Sequence, residues 1–302
     1  MGNYQIEPVT AKNSRVIENA RFRAATTSMQ GWRSSMEDEH LLELHFEGGI
    51  TLAGVFDGHG GKEVASFCKA RMPRALRNSK SFREGRYAEA LKEAFLEIDR
   101  LLLSEAGELL LRRHKGEDPD GEMGVSEAGC TATVVLVTGD RLYCANAGDS
   151  RAYATFRGGE IRSLSRDHLP GDPCERHRIE RAGFVVEDGR IGGGLNLSRA
   201  IGDLKLKRNP CLDRLEQAVI ALPEIQVLDL RPDIDFILLG CDGVWESLPP
   251  EEVLAGVGLR LNARPAPSPA LVLENLFDAI IAKEPQHQLG KDNMSAVLLQ
   301  FK

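Results

Sequence analysis

The chain has 302 residues, 42% hydrophobic and 27% charged, which is ordinary globular usage and supplies enough apolar material for a sizeable core. Disorder is excluded as the dominant state, while the length leaves open one large domain or two ordinary ones. With 38 basic against 45 acidic residues the formal net charge is −7, so the overall field gives no help to a nucleic-acid partner and is compatible with cation binding.

The chain opens Met-Gly-Asn-Tyr-Gln-Ile, which places Gly2 for N-myristoylation and a weak membrane association, although Ile6 stands where the usual pattern has Ser or Thr. No N-terminal stretch resembles a signal peptide, and no run approaches ~18 apolar residues, so a transmembrane segment is not expected. Apolar runs rich in Val, Ile and Leu predict strands at about 50–56, 130–138, 141–147, 151–156, 235–241 and 294–301. Apolar side chains at three- and four-residue spacing predict helices over 61–77, 87–111, 172–182, 249–261 and 268–283. The charged, Gly- and Pro-bearing stretch 112–128 and the proline-rich stretch 262–269 read as surface loops. Strand-rich regions interrupted by paired helices point to β-sheets covered by helices rather than a doubly wound βαβ fold. Cys68, Cys130, Cys144, Cys174, Cys211 and Cys241 are scattered without a CxxC pair, which suits a reducing cytosol.

The most informative local pattern is a buried strand running into a carboxylate. Ile50-Thr51-Leu52-Ala53-Gly54-Val55-Phe56 leads to Asp57-Gly58, and Asp235 to Cys241 lead to Asp242-Gly243. Gly148-Asp149-Ser150 follows another apolar run, and Lys291-Asp292-Asn293 immediately precedes the last one. A single Asp-Gly is usually only a turn. Repetition at strand ends is different, because carboxylates gathered at one edge of a sandwich repel unless protonated or bound to cations. Glu37-Asp38, shortly after Trp32-Arg33, adds two more acidic groups. Oxygen ligands without a Cys or His cluster favour Mg²⁺ or Mn²⁺ over Zn²⁺.

In order along the chain, Gly31-Trp32-Arg33 with Met36-Glu37-Asp38, Val55-Phe56-Asp57-Gly58-His59-Gly60-Gly61, Gly129-Cys130-Thr131-Ala132 and Ala145 to Arg151 resemble blocks of the metal-dependent protein phosphatase family, type 2C. Leu164 to His168, Leu197-Ser198-Arg199-Ala200-Ile201-Gly202-Asp203, Cys241 to Trp245 and Lys291 to Ser295 continue the resemblance, which covers about residues 22–301. It implies an α+β fold of two stacked antiparallel β-sheets flanked by helix pairs, a four-layer αββα sandwich. It also implies one catalytic domain over 22–302 after an N-terminal segment 1–21, with a flap at about 204–222.

The resemblance further implies an enzyme that hydrolyses phosphoserine and phosphothreonine in phosphorylated proteins at a binuclear Mg²⁺ or Mn²⁺ site. Asp57 would bridge both ions and Gly58 would lend its carbonyl. Glu37 and Asp38 would serve one ion or its waters, Asp242 and Asp292 the other, and Asp149 a third, weaker ion. Arg33 would grip the substrate phosphate and His59 would give a proton to the leaving alkoxide. The chain departs from the family pattern at Ala182-Gly183-Phe184 and Gly193-Gly194, away from these ligands and near the flap.

Three rival readings are weaker. Cys68 and Arg74 have the Cys-x5-Arg spacing of cysteine phosphatases, but no glycine-rich phosphate cradle surrounds them, so Cys68 is expected to pack in a helix. A catalytically dead scaffold would lack carboxylates that are all present. A Mg²⁺-dependent nuclease is disfavoured by the acidic balance and by the lack of a basic, aromatic-rich groove. A monomer in the cytoplasm or nucleus is the expected state.

Overall fold

The computed structural model describes residues 4–104, 106, 107, 109, 111, 127–284 and 286–302. Eleven strands among these residues build two antiparallel sheets. In chain order they are β1 (Tyr4–Glu18), β2 (Phe22–Arg33), β3 (Glu39–Glu47), β4 (Ile50–Phe56), β5 (Ala132–Val137), β6 (Arg141–Ala147), β7 (Arg151–Phe156), β8 (Ile161–Ser163), β9 (Glu224–Asp229), β10 (Ile234–Gly240) and β11 (Met294–Phe301). The helices are α1 (Glu63–Asn78), α2 (Lys80–Arg83), α3 (Tyr87–Leu102), α4 (Pro173–Arg181), α5 (Asp242–Trp245), α6 (Pro250–Leu261) and α7 (Pro269–Ile280).

The first sheet runs β1-β2-β11-β10-β7-β8 and the second β9-β6-β5-β4-β3. Every residue of β4 and β5 is buried, and the two-residue period of a strand explains how. From β4, Ala53 and Val55 enter the core between the sheets, while Leu52 and Phe56 face the opposite way into a second core with α1 and α3. On the far side, Val253, Leu254 and Val257 of α6 and Leu273, Leu276 and Phe277 of α7 cover the first sheet. The result is the expected four-layer αββα sandwich. A strand covered on both faces reads as an unbroken apolar run, which is why β4, β5 and β10 were legible as strands.

Five strands fall outside the expected set: β1, β2, β3, the three-residue β8 and β9. β1 is an edge strand with exposed or half-buried residues throughout, and it carries no apolar run to find. β2 is rich in Ala, Thr and Ser, small residues that fit between two layers without a strong hydropathy signal. The N-terminal segment 1–21 thus supplies β1, which pairs antiparallel with β2 from Arg33 to Arg23. Expected helix 87–111 is described as α3 over Tyr87–Leu102, and the expected loop 112–128 and Gly2 lie outside the described residues apart from 127 and 128.

Candidate active site

The ends of strands from both sheets deliver the acidic residues to one cleft. β4 expires at Asp57, whose N–H donates to Thr131 Oγ1 at 3.2 Å while its carbonyl accepts from Thr131 N–H at 2.9 Å. Gly58 and His59 then pair antiparallel with Cys130 and Gly129. β10 ends at Gly240, and Asp242 opens the single turn α5, anchored by a bond from Trp245 Nε1 to the Gly240 carbonyl at 2.9 Å. Asp292 comes just before β11, and Asp149 just after β6.

The loop that follows β2 is fastened to this frame by Asn293. Its Nδ2 donates to the carbonyls of Gln30 at 2.7 Å and Ser35 at 3.0 Å, and its Oδ1 accepts from Glu37 N–H at 2.9 Å. Two close approaches need glycine. A Cβ on Gly58 would lie 2.4 Å from the Glu37 carbonyl oxygen, and one on Gly31, which has φ +66°, would lie 2.5 Å from that of Asp292.

A cleft of about 640 Å³ is lined by Arg33, Glu37, Asp57, Gly58, His59, Asp149, Asp242 and Asp292. Asp38 lies buried behind it, within 4.8 Å of Asp57 by their nearest ligand atoms, and its Oδ2 has no hydrogen-bond partner. The structure therefore gathers all nine sequence-predicted residues around one site. Burial, together with the charges of Asp292 and Asp242, pushes the Asp38 carboxyl up to about 7. Burial and Asp242 push Asp149 to about 7 as well. Asp57 is driven well above the usual carboxylate range by burial and by its neighbours Asp242, Asp38, Asp149 and Asp292. Burial raises Asp242 too, with Asp292 adding to it.

An orphaned carboxylate oxygen inside a crowd of mutually repelling carboxylates fits a hard divalent cation. Cys241 Sγ sits with Asp38 and Asp57, a neighbour the sequence reading did not place there. Burial and the surrounding carboxylates hold that thiol far above its ordinary range. It therefore stays protonated and donates to the Asn293 carbonyl at 3.3 Å, leaving the ligand set oxygen-based.

Arg33 Nη2 donates to Asp292 Oδ2 at 2.5 Å, and its guanidinium lies 5.8 Å from the centre of the Tyr4 ring. Burial opposes the Arg33 charge, but Asp292 outweighs it and the guanidinium is held above its ordinary value. His59 Nε2 lies 2.8 and 2.9 Å from the two oxygens of Asp203. Burial opposes charging of this ring as well, yet Asp203 tips the balance and His59 is raised.

Among residues given no role by the sequence, Tyr4 and Glu246 line the cleft and Asp203 contacts His59. Tyr4 belongs to the exposed edge strand β1, and nothing local ties it to Arg33. Glu246 stands one residue beyond the Cys241 to Trp245 block and accepts from Gly290 N–H at 2.7 Å. Asp203 ends a recognised block, but its partner lies 144 residues away in the chain. Cys68 is buried in α1 with its Sγ 3.5 Å from Cys130 Sγ, so it packs as a helical core residue and faces no phosphate cradle.

A mixed sandwich with an acidic cleft at its edge defines a class, and comparison with known proteins gives the same one. A family model described as protein phosphatase 2C matches residues 22–289. The chain belongs to the protein phosphatase 2C family and is a protein serine/threonine phosphatase, in a family that depends on metal ions.

The chain is 41% identical over 304 residues to "Protein phosphatase 2C 1" of Paramecium tetraurelia, with 100% of both chains covered. It is 37% identical over 309 residues to "Protein phosphatase 2C homolog 2" of Schizosaccharomyces pombe, covering 100% of this chain and 79% of that one. The fold matches the crystal structure of serine-threonine phosphatase 2C from Toxoplasma gondii with a TM-score of 0.76 at 19% identity, over 96% of this chain and 99% of that chain.

Proposed function

We propose that this phosphatase hydrolyses phosphoserine and phosphothreonine in proteins at a binuclear Mg²⁺ or Mn²⁺ site formed by Glu37, Asp38, Asp57, the Gly58 carbonyl, Asp242 and Asp292, with Asp149 serving a weaker third ion. The observation that carries this reading is the close approach of buried Asp38 and half-buried Asp57, whose ionised forms repel one another unless a cation lies between or beside them. Bound there, such ions supply Lewis-acid activation of water and neutralise charge on the transferring phosphoryl group.

The chain's own residues do the rest. Asp38 and Asp57 release their protons when cations arrive and become the fixed negative charges that hold them. Arg33 exchanges its bond to Asp292 for two phosphate oxygens, a planar, permanently charged fork that lysine does not match. His59 gives a proton to the departing serine or threonine oxygen, which is a very poor leaving group without one. Residues 22–302 act as one catalytic domain, with the flap at about 204–222 contributing to substrate choice. The scattered cysteines support a place in the cytoplasm or nucleus, the acidic balance speaks against a nucleic-acid partner, and the family resemblance supports a monomer.

EDTA should abolish turnover of a phosphothreonine peptide, and Mn²⁺ or Mg²⁺ should restore it. Undiminished turnover after chelation would refute the metal site, while turnover of single-stranded DNA in place of the peptide would refute the substrate class.

A further inference from the structure

A carboxylate has no proton to give, so the short contacts between His59 and Asp203 mean that the ring donates Nε2–H to Asp203. Nδ1 is then the only ring nitrogen left for the cleft that His59 lines. The Asp203 side chain is 6% exposed and that of His59 27%, so the contact is largely shielded from water.

Several features of the chain serve this contact. Asp203 has φ +51°, a left-handed conformation that non-glycine residues seldom adopt and that Asp tolerates better than most. Its backbone is pinned by a bond from its N–H to the Ala128 carbonyl at 3.0 Å and by its own carbonyl accepting from Leu206 N–H at 2.9 Å. Next door, Gly202 N–H donates to Asp99 Oδ1 at 2.9 Å, and Asp99 is in turn paired with the buried Lys207 Nζ at 2.6 Å. Lys207 also donates to the Ala200 carbonyl at 2.8 Å, so the 200–207 segment is locked onto α3. Room for the pair exists only because residue 129 is glycine: a Cβ there would lie 2.2 Å from Asp203 Oδ2 and 2.6 Å from His59 Nε2.

We propose that Asp203 is the positioning residue for His59: by taking Nε2–H it fixes the ring so that Nδ1 faces the leaving oxygen of the substrate. This rests on the proton-donor reading of His59. In the step itself a water oxygen bonds to phosphorus as the P–O bond to serine or threonine breaks, and the water's protons stay with the phosphate formed. The electron pair of the broken bond leaves with the serine or threonine oxygen, and the proton that meets that oxygen comes from Nδ1. Nε2–H stays on the ring and bonded to Asp203. The Asp99–Lys207 pair acts one layer further out, holding the strained backbone from which the Asp203 carboxylate projects. Because Lys207 lies within the flap region 204–222, the proton donor and that region share one support.

The test compares a phosphothreonine peptide with p-nitrophenyl phosphate at saturating Mn²⁺, since nitrophenolate leaves without a proton. His59→Gln should slow the peptide by roughly 10²-fold and the aryl ester much less. Asp203→Ala should slow the peptide by roughly 10–100-fold, the range for losing a carboxylate that orients a histidine, and again spare the aryl ester. Asp203→Asn keeps an acceptor oxygen and should restore most of the peptide rate. The double variant His59→Gln/Asp203→Ala should be no slower than His59→Gln alone, because one residue acts through the other.

In the metal-free protein, ¹⁵N NMR of the His59 ring, assigned by its loss in His59→Gln, should show a slowly exchanging Nε2–H that vanishes in Asp203→Ala. Peptide turnover unaffected by Asp203→Ala while His59→Gln retains its selective defect would overturn the inference. So would equal slowing of both substrates by Asp203→Ala, or multiplicative effects in the double variant. If His59→Gln itself slows both substrates alike, the proton-donor reading of His59 is what fails.

Discussion

The protein buries carboxylates in two places and treats them in opposite ways. Glu175, in the first turn of α4, is 2% exposed and bonded to Arg178 at 2.7 Å and to Arg199 at 2.6 Å. Burial works against its charge, but the two guanidinium groups outweigh burial and hold its carboxyl down to about 2. Those arginines also donate to the carbonyls of Gln217, Ser198, Ala218 and Leu222, so the Glu175 network ties α4 to the chain around the flap. In the cleft, Asp38 and Asp149 are pushed up to about 7, and Asp38 Oδ2 has no partner. A carboxylate that the chain compensates itself is a strut. A group of carboxylates left uncompensated is a site that waits for an external cation.

The comparison can be broken first at Asp57. Asp57→Asn should lower kcat/KM for a phosphopeptide by about 10³-fold or more, because several kcal/mol of transition-state charge stabilisation pass through the ions it would hold. It should leave the melting temperature of the metal-free protein unchanged or raised. Activity within a few-fold of wild type would end the case for this residue as a ligand.

At Glu175 the opposite is expected. Glu175→Gln strands two largely buried guanidinium groups and should cost about 3 kcal/mol of stability, near the lower end for removing one partner of a buried pair, or roughly 5 °C in melting temperature. Turnover by the protein that remains folded should change little. Thermal unfolding and kinetics on the same sample separate the two effects.

Arg33 sits between the extremes, a cation within the cleft already paired with Asp292. Arg33→Ala should raise KM by roughly 10-fold or more, a charged hydrogen bond being worth about 1.5–3 kcal/mol, and should lower kcat less. A loss confined to kcat would place the contact solely in the transition state and count against clamping of the substrate phosphate.

The smallest effects lie in the metal-free protein, where the two sites predict opposite pH windows. Asp38 and Asp149 have folded values raised from 3.8 to about 7, so their favourable contribution is full below about 4 and is lost as pH rises through about 7. Glu175 is lowered from 4.5 to about 2, so its contribution is full above 4.5 and is lost as pH falls through about 2. Melting of the EDTA-treated protein should therefore move up by a few degrees between pH 8 and pH 5, and saturating Mn²⁺ should flatten that slope. Asp38→Asn should reproduce the gain at pH 8 without metal, while abolishing the Mn²⁺ effect at its own position. A metal-free protein equally stable at both pH values would mean that the cleft carboxylates are not frustrated.

The sequence alone determined the sandwich class and the nine residues expected at the site. Both-face burial turns β4, β5 and β10 into unbroken apolar runs, and each carboxylate at or beside a strand end is a local event readable within ten residues. The family blocks then set those events in order. It could not reveal β1, whose edge position asks for no apolar pattern, or β2, whose small residues answer to layers above and below that only packing brings there.

Tertiary structure alone decided the partnerships: Asp203 with His59 across 144 residues, Glu175 with Arg199 across 24, and Tyr4 with Arg33 across two hydrogen-bonded strands. The physical reason is range. Strand periodicity and turn chemistry act between neighbours in the chain, whereas the charge state of a buried group depends on every atom around it, and those neighbours are chosen only when the sheets close.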